Sequence, residues 1–290
     1  MTRRPAAAQT ALGPMMIAAA EQYEPPGRRL IDDGLAIGLL PVTMRAAVRA
    51  CRWPAVRRWM IAASEKRAPG IWGAVLCRKR YADDKVTEAF RTGITQVVVL
   101  GAGLDTRACR LTPSGGRAYE LDLPANVEDK RQRLRTLSGG VPEHVRLIGV
   151  DFETDDLGGV LAEHGFQTGR PVVFVWEAVT QYLTEEGVRA TLAFLSQATA
   201  GSRLLFTYVL RDFLDGGGHG AMALYEEFVV KRRLWRFGLA PGEVGGLLAS
   251  YGWVEREQVG AAEYRARYLE PAGRELPVSD LERFVYAEKR

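Results

Sequence analysis

A chain of 290 residues holds one large α/β domain with additions, or two small domains. Composition is that of an ordinary globular protein, no apolar run is long enough to span a bilayer, and the formal charge of +4 is modest for this size. Cys51, Cys77 and Cys109 are few, odd in number and widely spaced, so neither a disulfide framework nor a zinc motif is indicated, and a reduced cytoplasmic setting is the simpler expectation.

Residues 1–90 read as mostly helical, broken at Pro25-Pro26-Gly27 and Pro69-Gly70, and are expected to cap a sheet and help form its site. The opening Met1-Thr-Arg-Arg-Pro looks briefly like a leader, but Gln9 and Thr10 break the apolar stretch. The basic patches Arg45 to Arg58 and Lys231 to Arg236 read first as solvated helix faces, and no nucleic-acid module accompanies them.

Val97-Val98-Val99-Leu100 followed by Gly101-Ala-Gly-Leu-Asp-Thr-Arg107 predicts a fully buried parallel strand, a tight turn and a helix start. Gly101 tolerates positive φ and Gly103 lets a ligand approach the backbone, which makes this turn a cradle at the carboxyl end of a strand. Thr106 stands where a dinucleotide fingerprint has its third glycine, and no P-loop ending follows. Asp105 would repel a pyrophosphate but suits the sulfonium and amino-acid part of S-adenosylmethionine (SAM).

The next strand, Arg117 to Asp122, ends nineteen residues after Gly103 in a carboxylate whose two oxygens suit the vicinal hydroxyls of a ribose. Asp122 is the candidate and Glu120, on the same side, the reserve. A charged helix over Asn126–Leu137 completes the unit. His144 to Phe152 is a third strand ending in Asp151 and Phe152, suited to an adenine amino group and ring face. Pro171 to Trp176 is a fourth, followed at once by Glu177. Asp105, Asp122, Asp151 and Glu177 thus fall on one edge of one sheet, the pattern of a ligand site.

A helix over Thr184–Ala200, a fifth strand over Arg203–Tyr208, a flexible loop at Asp215–Gly220 and a helix over Ala221–Phe237 come next, with a lid expected around 211–240. A helix at Pro241–Tyr251 and strands at Trp253–Val259 and Asp280–Glu288 close the chain. The fold expected is a doubly wound, mostly parallel seven-stranded Rossmann-like α/β sheet, with residues 91–290 as the cofactor-binding domain.

These stretches resemble the leucine carboxyl methyltransferase family and its bacterial SAM-dependent O-methyltransferase relatives. The likeness runs through Gln96–Arg107, Tyr119–Pro124, Val150–Phe152, Trp176–Thr184 and Tyr268–Arg274, with Arg28–Ala36 and Arg78–Asp84 nearer the start. It implies that Gly101, Asp122, Asp151, Phe152 and Glu177 contact SAM and that an arginine before the first strand, Arg78 or its competitor Arg80, pairs with its carboxylate. The activity implied is O-methylation of a carboxylate or hydroxyl on a small-molecule acceptor. An NAD(P)-linked oxidoreductase and a non-catalytic SAM-binding protein are the alternatives.

A carboxylate acceptor is already ionised at neutral pH, whereas a hydroxyl must lose a proton. His219, in the glycine loop, is the candidate base or substrate contact, because His144 and His164 precede strands and fall at the far edge. Tyr208 and Tyr182 are candidates to orient an acceptor, against a plain core role for each. Arg274 is a candidate partner for an acidic substrate, against a structural ion pair. No residue cluster has metal-ligand spacing.

Overall fold

The computed structural model describes residues 11–217 and 220–290. Among the described residues five helices precede the first strand: α1 (Leu12–Glu21), α2 (Ala36–Leu39), α3 (Val42–Ala50), α4 (Pro54–Glu65) and α5 (Ile71–Arg91). Strands β1 (Gln96–Leu100), β2 (Arg117–Asp122), β3 (Val145–Gly149), β4 (Val173–Trp176) and β5 (Arg203–Val209) then alternate with α6 (Arg107–Leu111), α7 (Pro124–Ser138), α8 (Leu157–Glu163) and α9 (Glu185–Leu195). After β5 come α10 (Arg211–Leu214), α11 (Met222–Leu224), α12 (Val244–Ser250), β6 (Trp253–Val259), α13 (Ala261–Tyr264) and β7 (Glu282–Lys289).

The seven strands form one sheet in the order β3-β2-β1-β4-β5-β7-β6. The first five are parallel, and β7 enters antiparallel between β5 and β6. Strand order reverses on either side of β1, so the connections after β1 and β4 leave in opposite directions and open a crevice at the carboxyl ends.

The apolar runs are continuous because both faces are covered. Val97, Val99, Val173, Val175 and Leu205 point to a core shared with α1 and α5, while Val98, Leu100, Phe174, Trp176 and Leu204 point to a second core shared with α8, α9 and α12. Alternation along each strand sorts one unbroken hydrophobic run into two cores.

Helix starts follow local chemistry. Pro124 stands at the first turn of α7, where its missing N–H costs nothing, and Gly139 ends the helix in the left-handed conformation. Thr184 caps α9 through its Oγ1, which accepts from the Gly187 N–H at 3.0 Å, and the Glu153 carboxylate accepts from the Thr184 N–H at 2.9 Å.

Several boundaries differ from the pattern reading, among them the end of α9, which stops at Leu195 and not Ala200. The third strand stops at Gly149, because the chain turns at Asp151 with Asp155 N–H donating to its carbonyl at 2.9 Å. The single helix expected over 221–237 is instead α11 followed by a wider turn of i→i+5 hydrogen bonding over Tyr225–Lys231. The basic run Lys231-Arg232-Arg233 then turns back, with Arg233 at positive φ, and Trp235 stacks on Phe228 with ring centroids 5.0 Å apart. Aromatic packing against Phe213 and Tyr182 outweighs continuation of the helix.

Arg274 does not face the crevice. It is buried, donates to Glu21 Oε1 at 2.8 Å and to the Arg28 carbonyl at 3.0 Å, and so ties the C-terminal segment to α1. Glu21 also accepts from the Leu30 N–H at 2.8 Å. The expectation of a substrate contact at Arg274 is therefore corrected to a structural ion pair. Burial pushes the Glu21 carboxyl up, with Arg274 opposing.

Arg274→Met leaves Glu21 buried without its counter-charge, at an expected cost of about 3–5 kcal/mol in urea unfolding at neutral pH. The loss should shrink as pH falls and Glu21 takes up a proton. A neutral effect of the substitution at both pH values would contradict this role.

Candidate active site

A cavity of about 390 Å³ occupies the crevice, within the range of small-molecule sites. Its floor is the turn Gly101–Asp105, its sides carry Asp122, Asp151, Phe152 and Glu177, and Pro14 and Met15 of α1 close over it. From α5 come Arg78 and Lys79, and from the segment after α11 comes Arg236.

The turn is built by backbone hydrogen bonds to the neighbouring strand. Gly101 and Ala102 N–H groups both donate to the Leu121 carbonyl, at 2.8 and 3.0 Å. Gly101 has φ +68° and Gly103 φ +48°. A Cβ on Gly101 would overlap Val179 Cγ2. The third fingerprint position, Thr106, is filled for another purpose: its hydroxyl donates to Asp33 at 2.6 Å, joining the turn to the N-terminal helices.

Asp122 is clamped from three sides. Its Oδ2 accepts from the Gly103 N–H at 2.5 Å, and its Oδ1 from the Leu123 N–H at 2.7 Å and from Asn126 Nδ2 at 2.6 Å. A carboxylate has roughly four acceptor sites. The side chain is thus held rigidly while capacity remains toward the cavity, with Asn126 beside it on the wall. Asp151 orders its own loop by accepting from the Glu153 N–H at 3.0 Å, and Phe152 is buried next to it.

Behind the turn lies a network of charges. Arg107 is 1% exposed and donates from three nitrogens: Nε to Asp83 at 2.7 Å, Nη1 to Asp105 at 2.7 Å and Nη2 to Glu177 at 2.9 Å. Glu177 also takes Arg78 Nε at 2.9 Å, and Arg78 Nη1 pairs with Glu282 on β7. Arg78 Nη2 makes no hydrogen bond among the described residues. Lys79 is buried on the cavity wall, and its ion pair, with Asp105 Oδ2, is long at 3.8 Å.

Burial works against ionising Asp105 and Glu177, but the Arg107 guanidinium, helped by Lys79, holds both below the usual carboxylate range. Both are therefore anionic at neutral pH. After Glu177 the backbone carries a strained residue: Ala178 has φ +58°, held by its N–H donating to Thr207 Oγ1 at 2.7 Å.

The structure brings Arg78, Gly101, Gly103, Asp105, Asp122, Asp151, Phe152, Glu177 and Tyr182 to this cavity. Arg80 is elsewhere, since two residues further along α5 turns its side chain to Asp84 at 2.8 Å and the Leu30 carbonyl at 2.9 Å. Glu120 lies beneath the sheet edge, fully buried against Lys130 rather than on the wall. Tyr208 is a correction: it is fully buried and its hydroxyl donates to Gln258 of β6 at 2.7 Å. Its position on the pleat aims it at the second core, away from the cavity. His144 and His164 bond to the Ala108 and Val160 carbonyls, outside the cavity. His219 lies outside the described residues.

Arg107, Lys79, Asn126 and Arg236 were not singled out as site residues by the sequence reading. Arg107 alone had a local signal, as the last residue of the glycine-turn motif. Arg236 reaches the cavity because its Nη2 donates to the Tyr182 carbonyl at 2.7 Å.

Gly101→Ala should cost about 1–2 kcal/mol for the left-handed backbone and a further roughly 1–3 kcal/mol for overlap with Val179. Adding Val179→Ala should recover only the second part, as read by urea unfolding of the single and double variants. A second check concerns pH. Because Asp105 and Glu177 titrate lower folded than unfolded, their contribution is complete at neutral pH and is lost as pH falls below about 4. Arg107→Met should remove about 3–5 kcal/mol at pH 7 and flatten the acid limb of the stability profile. An unchanged acid limb would show that these carboxylates are not held by Arg107.

A family model described as leucine carboxyl methyltransferase matches residues 11–196. A candidate S-adenosyl-L-methionine-dependent methyltransferase of Mycobacterium avium (strain 104) is 34% identical over 228 residues, 71% of this chain and 72% of that protein. Another such candidate of the same strain is 37% identical over 135 residues, and the match spans 46% of this chain and 45% of that relative's length. Among solved structures, a candidate methyltransferase from Thermobifida fusca YX has the same fold, with a TM-score of 0.62 at 16% identity and full coverage of both chains. A family match over residues 11–196, together with the 34% identical relative, makes this chain a member of the leucine carboxyl methyltransferase family.

Proposed function

We propose that this SAM-dependent methyltransferase transfers the methyl group to an oxygen, a carboxylate or hydroxyl, of a small-molecule acceptor. The observation that carries the cofactor side of the reading is Asp122, a carboxylate clamped by the Gly103 amide at 2.5 Å with acceptor capacity left on the cavity wall. The family to which the chain belongs supports the oxygen acceptor.

The residues present fit the cofactor. In this reading Asp122, with Asn126 beside it, accepts from a ribose hydroxyl. Asp151 accepts from the adenine amino group, and Phe152 covers the ring. Arg78 offers its Nη2 to the cofactor carboxylate, and Lys79 adds a second positive charge close by. Asp105 and Glu177, anionic at neutral pH, place fixed negative charge near a cationic centre without water having to reorganise. When bound, SAM supplies an electrophilic methyl group on a positively charged sulfur.

Chain residues would then act mainly by positioning, because in-line displacement gains most from alignment. Tyr182, on the wall beside Val179, is the candidate to orient the acceptor. Apolar Pro14 and Met15 exclude water above the turn. Thr106, anchored on Asp33, puts a side chain where a pyrophosphate site has a glycine for close helix–strand approach, which weighs against a nicotinamide dinucleotide.

SAM and S-adenosylhomocysteine should raise the melting temperature while NAD leaves it unchanged, and stabilisation by NAD alone would overturn the reading. Asp122→Asn should weaken SAM binding about 10–100-fold by calorimetry, the worth of a charge-assisted hydrogen bond. In an acceptor screen with methyl-labelled SAM, mild alkali should release label from a methyl ester and leave a methyl ether intact. Label on nitrogen or carbon would refute transfer to oxygen.

A further inference from the structure

From Gly34 to Ser64 the chain has no aspartate or glutamate but five arginines. Arg45 and Arg57 are used internally: Arg45 donates to the Leu40 and Gly38 carbonyls, and Arg57 pairs with Glu24 at 2.7 Å. Arg49, Arg52 and Arg58 are exposed and have no acidic partner among the described residues. Lys66 and Arg67, just beyond, are exposed as well.

Large apolar groups stand among these cations. Val42 is 76% exposed, Trp59 70% and Trp53 52%. α4 buries no residue fully. Met60 and Ile61 lean on the core, while Ala55, Arg58, Trp59, Ala62 and Lys66 recur at helical spacing on the exposed side. Water-exposed indoles flanked by unpaired cations are unfavourable as a mere solvated face, because the apolar area gains nothing there.

We propose that α3, α4 and the turn between them dock on an anionic lipid bilayer, with Trp59, Trp53 and Val42 entering the headgroup region and Arg49, Arg52 and Arg58 meeting lipid phosphates. Interfacial helices combine these features: cations for the charged surface and tryptophan for the boundary between water and hydrocarbon. A second copy of the chain fits less well, since a twofold contact would set arginine against arginine. A single-stranded nucleic acid would need successive open aromatic faces, and here Trp59 stands without a second one, because the Arg52 guanidinium lies 4.1 Å from the centre of the Trp53 ring. The docking is peripheral: among the described residues no helix is long and apolar enough to cross a membrane.

The full chain should co-sediment with vesicles of phosphatidylcholine and phosphatidylglycerol at low salt, with a blue shift of tryptophan emission, and should stay in solution with pure phosphatidylcholine. Replacing Arg49, Arg52 and Arg58 by Gln should weaken vesicle affinity about fivefold per arginine. Trp59→Ser should reduce the emission shift and the Trp53→Ser/Trp59→Ser pair should abolish it. All these residues are exposed, so circular dichroism and SAM-induced stabilisation should be unchanged, which separates lost docking from lost folding. Absence of sedimentation with anionic vesicles, equal binding by the substituted variants, or binding of single-stranded DNA or self-association at this face in place of vesicle binding would each overturn the proposal.

Discussion

Arg107 is the interaction on which the site depends. Its guanidinium joins three carboxylates from three parts of the chain: Asp83 on α5, Asp105 in the glycine turn and Glu177 after β4. A guanidinium at 1% exposure survives only because all three of its nitrogens are matched. Each carboxylate in turn survives burial because cations face it, Arg107 in every case and a second one beside it: Arg110 at Asp83, Lys79 at Asp105 and Arg78 at Glu177. The N-terminal helices, the first strand–helix unit and the switch point of the sheet therefore meet at one side chain.

That geometry also sets the charge of the cavity. Asp105 and Glu177 are kept ionised behind the turn while Arg78 and Lys79 stand beside them, so a zwitterionic ligand meets both signs within one small volume. Because the charges are fixed by neighbours and not by solvent, their arrangement costs little to maintain when water leaves. The strained Ala178 and the close approach of Val179 to Gly101 belong to the same design: backbone and side chain are pressed together where the strand order reverses.

The N-terminal helices and the sheet share one core on this side. Thr106 on Asp33 and Arg274 on Glu21 are polar ties between segments distant in sequence, and the core of α1 and α5 continues into one face of the sheet. The basic outer face of α3 and α4 points away from that core, which lets it engage a surface without touching the cavity.

Much of this was legible in the residues alone. Buried strands show themselves as unbroken valine runs, the cradle as glycines at a strand end, and Asp122 and Glu177 as acids placed where strands finish. These signals are local, since each depends on neighbours within a few positions. Tertiary structure alone decided which side chains are spent on one another. Tyr208 lies near the carboxyl end of β5 and Tyr182 in the turn after β4, yet the pleat sends Tyr208 into the core against Gln258 while the turn leaves Tyr182 on the wall. Arg78 and Arg80 differ only by their angle around α5, and Arg274 found its partner 253 residues away in Glu21. The succession of strands and helices along the chain, and the acids at their ends, follow from the residues alone, because periodicity and turn chemistry act over short range. The pairing of buried charges was decided only by the fold, because such partners meet through space and leave no spacing in the chain.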